Sequence, residues 1–156
     1  MKIKTEQDLI KHKLNDLLSA ENQLVEKLPQ IAKNVNDKDL KMALNEHLKQ
    51  TKEHVKRLKQ IAKELDIDTK DEKCKGMEGI LKEGEKAMDS TDNDVLLDIV
   101  TIAGCRSVEH YEMAGYMAFI SLLDKPEYKS SIDLLNETLV EEQEADKKLA
   151  SIVNKI

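Results

Sequence analysis

Tryptophan is absent from this chain, and its aromatic side chains are three tyrosines and one phenylalanine. Glycine occurs five times and proline twice. Strands draw on aromatic residues and turns on glycine and proline, so these shortages argue for long helices over sheets. No apolar run is long enough to cross a bilayer, and the polar start from Met1 to Asp8 carries no signal-peptide core. The two cysteines, Cys74 and Cys105, stand far apart, so with no export signal reduced thiols in a cytoplasm are expected. A basic patch is lacking as well. Lysines alternate with acids along every segment and the net charge is −6, which sets the chain against nucleic acid as a partner. There is no glycine-rich phosphate loop, nucleophile elbow or Cys-x-x-Cys pair.

What is present is a chain of 156 residues, 36% charged and 40% apolar, rich in Leu, Lys, Glu, Ala and Ile. That reads as one soluble domain over residues 1–156, built from good helix formers. Apolar periodicity predicts four long helices, over about residues 5–34, 37–65, 92–123 and 130–155. Thr5 with Asp8 and Ser130 with Asp133 read as capping pairs, and Asn36 as the N-cap of the second helix. Pro29 is expected to kink or interrupt the first helix. A short helix is expected over residues 77–88, weakened by Gly76, Gly79 and Gly84. Short loops join the first and last pairs, while the middle connection, residues 66–91, is long enough to cross the bundle. The expected fold is therefore all-α. It is a ferritin-like four-helix bundle of two antiparallel pairs, joined by a long crossover that carries a short helix. An up-down-up-down bundle is the alternative.

The apolar stripes are interrupted. Glu21 lies in line with Leu14, Leu17, Leu24 and Leu28; His47, Gln50 or Thr51, and His54 continue the line from Leu44 to Leu58. Glu109 falls between Ile102 and Met113 or Tyr116, with His110 beside it and Glu112 three residues on. Glu142 and Asp146 lie between Leu139 and Leu149. Glu21, His54, Glu109 and Asp146 each sit about sixteen residues into their helices, roughly 24 Å along the axis, so antiparallel packing brings them into one layer. Buried carboxylates without partners are costly, and a cation removes that cost. Carboxylates with imidazoles suit iron, manganese or zinc. The competing reading is a buried salt-bridge network with Arg106 as counter-charge; agreement across four helices favours the metal. His12 borders the polar face of the first helix and is expected to be exposed. Tyr116 reads as core or as a hydrogen-bond donor to a carboxylate, and Cys105 as a small buried hydrophobe or a redox-active thiol. Met42, Met77, Met88, Met113 and Met117 read as packing residues.

Several motifs carry a resemblance: Leu18-Ser-Ala-Glu21-Asn-Gln-Leu24 with Leu28-Pro29; His47-Leu-Lys-Gln-Thr-Lys-Glu-His54 with Arg57-Leu58; Cys74-Lys-Gly-Met77-Glu-Gly79; Val108-Glu-His-Tyr-Glu112 with Tyr116; and Leu139-Val-Glu-Glu142 with Asp146. In this order, over nearly the full length, they resemble the YciE/YciF family of ferritin-like proteins. The resemblance implies a di-metal carboxylate bundle related to rubrerythrins and ferritins, dimeric and linked to stress responses. Two departures stand out. No Glu-x-x-His pair occurs among the core candidates, and position 50, where the resemblance implies Glu, is Gln. The candidate metal ligands are Glu21, His47, Gln50, His54, Glu109, His110, Glu112, Glu142 and Asp146. Two iron ions reacting with oxygen or peroxide, as a ferroxidase or a peroxide-reducing oxidoreductase, are the leading expectation, with a homodimer as the implied assembly. Alternatives are a zinc or manganese buffer without turnover and a non-catalytic helical stress protein whose polar core specifies the fold.

Overall fold

The computed structural model of the chain describes residues 2–70 and 72–156; Met1, in the polar start, and Asp71, in the crossover, lie outside the described residues. Five helices follow in order: α1 Glu6–Asn34, α2 Lys38–Glu64, α3 Lys75–Asp89, α4 Asp94–Leu122 and α5 Lys129–Val153, with a 3-10 turn at Pro126–Tyr128 before α5. No strand occurs among the described residues.

Local chemistry sets the helix ends. Thr5 and Asp8 form a reciprocal capping box at the start of α1. The N-cap of α2 is Asp37, one residue beyond the expected Asn36, and its carboxylate accepts from Leu40 N at 2.8 Å. The shift follows from Asp98 on α4, a buried residue whose two oxygens accept the backbone N–H of Asn36 and of Asp37. The expected Ser130–Asp133 capping box does not form. The turn at Pro126–Tyr128 runs directly into α5, Lys129 pairs with Asp133, and the Ser130 and Ser131 hydroxyls donate to Glu64. Pro29 does not interrupt α1, which continues to Asn34. The glycines do not break α3 either. Gly76 is required there, because a Cβ would collide with the Tyr111 ring.

Contacts between helix ends fix the topology. The α1 start meets the α4 end through Glu6 and Lys125, and the loop after α1 meets the α4 start through Asp98. The α2 end meets the α5 start through Glu64 and Ser131, and the α2 start meets the α5 end through Glu46 and Lys148. Helix α1 is thus antiparallel to α4 and α2 to α5, with α2 and α4 parallel. Up-down-up-down is excluded; the arrangement is the ferritin-like one. A line of polar residues on α1 ties down the crossover. Asn15 accepts from Lys70 N, Ser19 accepts from Cys74 N, and Gln23 donates to Cys74 O.

Two apolar clusters fill the bundle, one around Leu24, Leu44, Ile102 and Leu149, the other around Leu14, Leu58, Tyr116 and Phe119. The polar layer lies between them. The buried face of α4 runs through Asp98, Ile102, Cys105, Glu109, Glu112, Tyr116 and Phe119. Other apolar residues of α4 lie on its outer face: Leu96 and Met117 are half exposed, and Ala103 is exposed. Apolar residues occur on both faces of this helix, so periodicity alone did not fix which one is inside. Of the methionines, Met77 is buried and Met88 and Met113 are half-buried, but Met42 is 63% exposed.

Candidate metal centre

All four long helices supply the layer. Glu21 comes from the middle of α1, His47 and His54 from α2, Glu109 and Glu112 from α4, and Glu142 from α5. The spacings of seven on α2 and three on α4 return each pair to one helix face. Thr51 lies between the histidines, buried, with its hydroxyl turned back to His47 O.

These side chains form two converging groups. One is His47, Glu109, Glu112 and Glu142; the other is Glu21, His54 and Glu142. Within each, the potential ligand atoms lie within 4.8 Å of one another. Glu142 belongs to both: its Oε1 is 3.0 Å from His54 Nδ1 and its Oε2 is 3.9 Å from His47 Nε2. His47 Nε2 is 3.2 Å from Glu109 Oε1, and His54 Nδ1 is 3.4 Å from Glu21 Oε1. Ligand atoms around a cation at about 2.1 Å stand up to about 4 Å apart, so the groups need only a small contraction to close on an ion.

The donor chemistry fits a metal. Nine buried nitrogen and oxygen atoms have no aligned hydrogen-bond partner among the described residues, and all nine belong to this cluster: Glu21 Oε2, three imidazole nitrogens, Glu109 Oε2, and both oxygens of Glu112 and of Glu142. Leaving such atoms unpaired costs about 1–3 kcal/mol each, more when charged. A hydrogen-bonded polar core would have satisfied them; divalent cations would do so and would balance the four buried carboxylates. This group could hold a metal ion.

Protonation reflects the crowding. Burial, with the neighbouring carboxylates, raises Glu109 and Glu112 well above the ordinary value, and burial also raises Glu21. Burial pushes Glu142 the same way, but the His54 and His47 contacts outweigh it and its carboxyl sits below the ordinary value. For His54, burial opposes the charge, yet Glu142 and Glu21 overcome it and hold its proton up to about 10. Burial lowers His47 and keeps a neutral nitrogen available as a ligand.

Neighbouring side chains orient the cluster. The Tyr116 hydroxyl donates to Glu21 Oε1, so this residue is both core and hydrogen-bond donor. His54 Nε2 meets Glu141 Oε2 at 2.8 Å, and Arg57 donates to the same carboxylate. Glu141 was not among the expected site residues. Adjacent to Glu142 and rotated about 100° around α5, it faces α2 rather than the layer; Arg57, one turn after His54, was the available signal.

Gln50 is half-buried on α2, where its side chain reaches His47. Two expected residues are not brought into the cluster. The His110 side chain is 61% exposed, because the turn that buries Glu109 rotates its neighbour outward. Asp146 lies one turn beyond Glu142 and pairs with Arg106 at 2.7 Å and with His110 at 3.4 Å. Arg106 is therefore the partner of Asp146 and not the counter-charge of the core. His12 is half-buried rather than exposed. Both cysteines are free. Burial and the nearby Glu109 charge push Cys105 up to about 12, which leaves it a thiol rather than a reactive thiolate. Cys74 Sγ lies 3.1 Å from Tyr111 Oη.

Residues 5–156 match a family described as a domain of unknown function, DUF892. The chain is 35% identical to Protein YciF of Escherichia coli (strain K12) over 153 residues, which cover 97% of this chain and 92% of that protein. The crystal structure of the E. coli stress protein YciF superposes with a TM-score of 0.92 at 34% identity, covering 97% of this chain and 96% of the other. YcfI from Rhodopseudomonas palustris superposes with a TM-score of 0.91 at 30% identity, covering 96% and 95%. With a match that spans all five helices, the chain belongs to the YciE/YciF family, DUF892.

Proposed function

We propose that the chain is a di-iron carboxylate protein that reacts with oxygen or peroxide. His54 and Glu21 would hold one ion, His47, Glu109 and Glu112 the other, and Glu142 would bridge them. The carrying observation is Glu142, which turns one oxygen to each histidine inside a layer of unpartnered buried donors. The chemistry such a pair supplies is electron transfer to oxygen or peroxide. The side chains do the rest. The carboxylates can shift between one-oxygen and two-oxygen contacts as charge changes, and their negative charge favours the oxidised product. Tyr116 holds Glu21 in place and Glu141 fixes the ring of His54. Apolar clusters pack against the layer on both sides. A stress-related role follows the E. coli relative, and a cytoplasmic homodimer accompanies this reading. No helix among the described residues is long and apolar enough to cross a membrane.

Elemental analysis after anaerobic ferrous loading, followed by oxygen-consumption measurements, tests the reading. Two irons per chain and rapid oxygen uptake are expected. Bound metal without uptake would reduce the protein to a metal buffer. Rejection of iron, zinc and manganese alike would make the layer a structural network.

A further inference from the structure

A chamber of about 150 Å³ opens on one side of the polar layer, within the half of the bundle where α3 packs on α4. Its walls are aliphatic, with Leu24, Leu28, Leu44, Leu81, Val108 and Leu149 among them. His47 and Glu109 line it too, both buried. At the other extreme it is lined by the partly exposed ion pairs Lys27–Glu85 and Glu46–Lys148. The chamber therefore runs from the surface to one half of the candidate centre. Around the other half, at Glu21 and His54, the buried side chains of Tyr116, Leu14 and Leu17 pack the far side.

We propose that this chamber binds a small, uncharged, largely apolar molecule whose single polar group, a hydroxyl or carbonyl, meets His47 and Glu109. Size, lining and charge each bear on the occupant. A protein cavity of roughly 150 Å³ accepts a ligand the size of benzene, so about six to eight heavy atoms fit. The aliphatic walls gain from burying hydrocarbon and offer nothing to an ion. The rim ion pairs neutralise themselves, with Glu144 left over, so the chamber offers no free cation to fatty-acid headgroups or phosphates. His47 and Glu109, both in its lining, carry buried atoms with no aligned hydrogen-bond partner among the described residues, so one polar group on the ligand is matched there. As the substrate pocket of a metal pair the chamber rests on the proposed function; as a binding site it stands on its own walls.

Cyclohexanol and benzene are suitable probes. Binding is read by calorimetry on the metal-free protein and by the visible spectrum of the cobalt-loaded protein. Two substitutions fill the chamber from its lining, Ala43→Leu and Ala145→Leu; the second, at a half-buried position, serves if the first does not fold. Saturable binding of one molecule per chain, a shift of the cobalt bands on addition, and loss of both in the filled variants are expected. Saturable binding that is lost in the filled variants, in a protein that takes no cobalt, would uphold the chamber and remove the metal reading. Cobalt bound normally, with no saturable binding or with binding that survives both substitutions, would overturn the inference and leave the metal reading intact.

Discussion

His54 Nε2 and Glu141 Oε2 stand 2.8 Å apart, and this contact decides which way the imidazole faces. With Nε2–H donating to Glu141, the other nitrogen, Nδ1, is the one aimed at Glu21 and Glu142. Arg57 holds the Glu141 carboxylate from behind at 2.6 Å. A carboxylate in this position fixes the tautomer and raises the basicity of a ligating histidine. Glu141→Gln is therefore expected to weaken metal binding about 10–100-fold while leaving the stoichiometry unchanged. Competition titration of cobalt against a chromophoric chelator measures it. An unchanged affinity would mean that His54 is not a ligand through Nδ1.

Glu112 presents the opposite case, a residue that costs the metal-free fold. It is fully buried, and neither oxygen has a partner. Replacing it by Leu removes that penalty, so the metal-free protein should gain about 1–3 kcal/mol. For a chain of this size that is a rise in Tm of roughly 2–4 °C per kcal/mol. The same variant should lose most of the stabilisation that metal gives the parent. Melting curves with chelator and with added metal read both effects. A lower Tm for Glu112→Leu in chelator would show that the carboxylate is satisfied within the protein, which favours the structural reading of the core.

The two forms should also respond to pH in opposite directions. His54 ordinarily titrates at 6.5 and here holds its proton up to about 10, because Glu142 and Glu21 outweigh burial. Its stabilising contribution to the metal-free protein is whole below pH 6.5 and is lost as pH rises toward 10. Glu21, Glu109 and Glu112, raised mainly by burial, act in the same direction, because ionising them as pH rises above the ordinary 4.5 destabilises the metal-free fold. Glu142, held below that value, contributes above it and loses the contribution on acidification. Stability of the metal-free protein should thus fall from pH 6.5 to 10. Metal affinity should rise over the same window, since the ion must displace the His54 proton. Calorimetry in buffers of different ionisation enthalpy should find about one proton or more released per chain near neutrality. Uptake with no proton release would remove His54 from the ligand set.

Much of this was legible in the sequence because helices obey a strict period. Apolar spacing gave the long helices, and the lengths of the connections gave the crossover. The carboxylates and histidines that interrupt the stripes pointed to a central layer. What the sequence did not reveal were rotations of one residue or one turn. Glu141 and Glu142 are neighbours, and only packing against α2 shows which turns to the layer and which to Arg57. Asp146 lies on the same stripe as Glu142 but one turn further on, where Arg106 captures it. Helix α4 carries apolar residues on two faces, so its phase came from packing against α1, α3 and α5 rather than from its own pattern. The N-cap of α2 depended on Asp98, which is more than sixty residues away and has no local signature.

That distant cap makes the last prediction. Asp98 sits at 4% exposure and accepts two backbone N–H groups, from Asn36 and Asp37, each at 2.8 Å. It thereby joins the α1–α2 turn to the start of α4, the contact that sets α2 and α4 parallel. Removing the carboxylate leaves both donors unpaired. Asp98→Ala is expected to cost about 2–4 kcal/mol, since hydrogen bonds to a charged acceptor contribute about 1.5–3 kcal/mol each and part of the loss is recovered by water. Asp98→Asn keeps one acceptor oxygen and should lose roughly half as much. Urea unfolding monitored by circular dichroism measures both. Metal stoichiometry should stay at the parent value, because Asp98 lies three helical turns from Glu109 along α4 and touches no member of the layer. Equal stability for all three proteins would show that the turn is held by the helices it joins and not by this carboxylate.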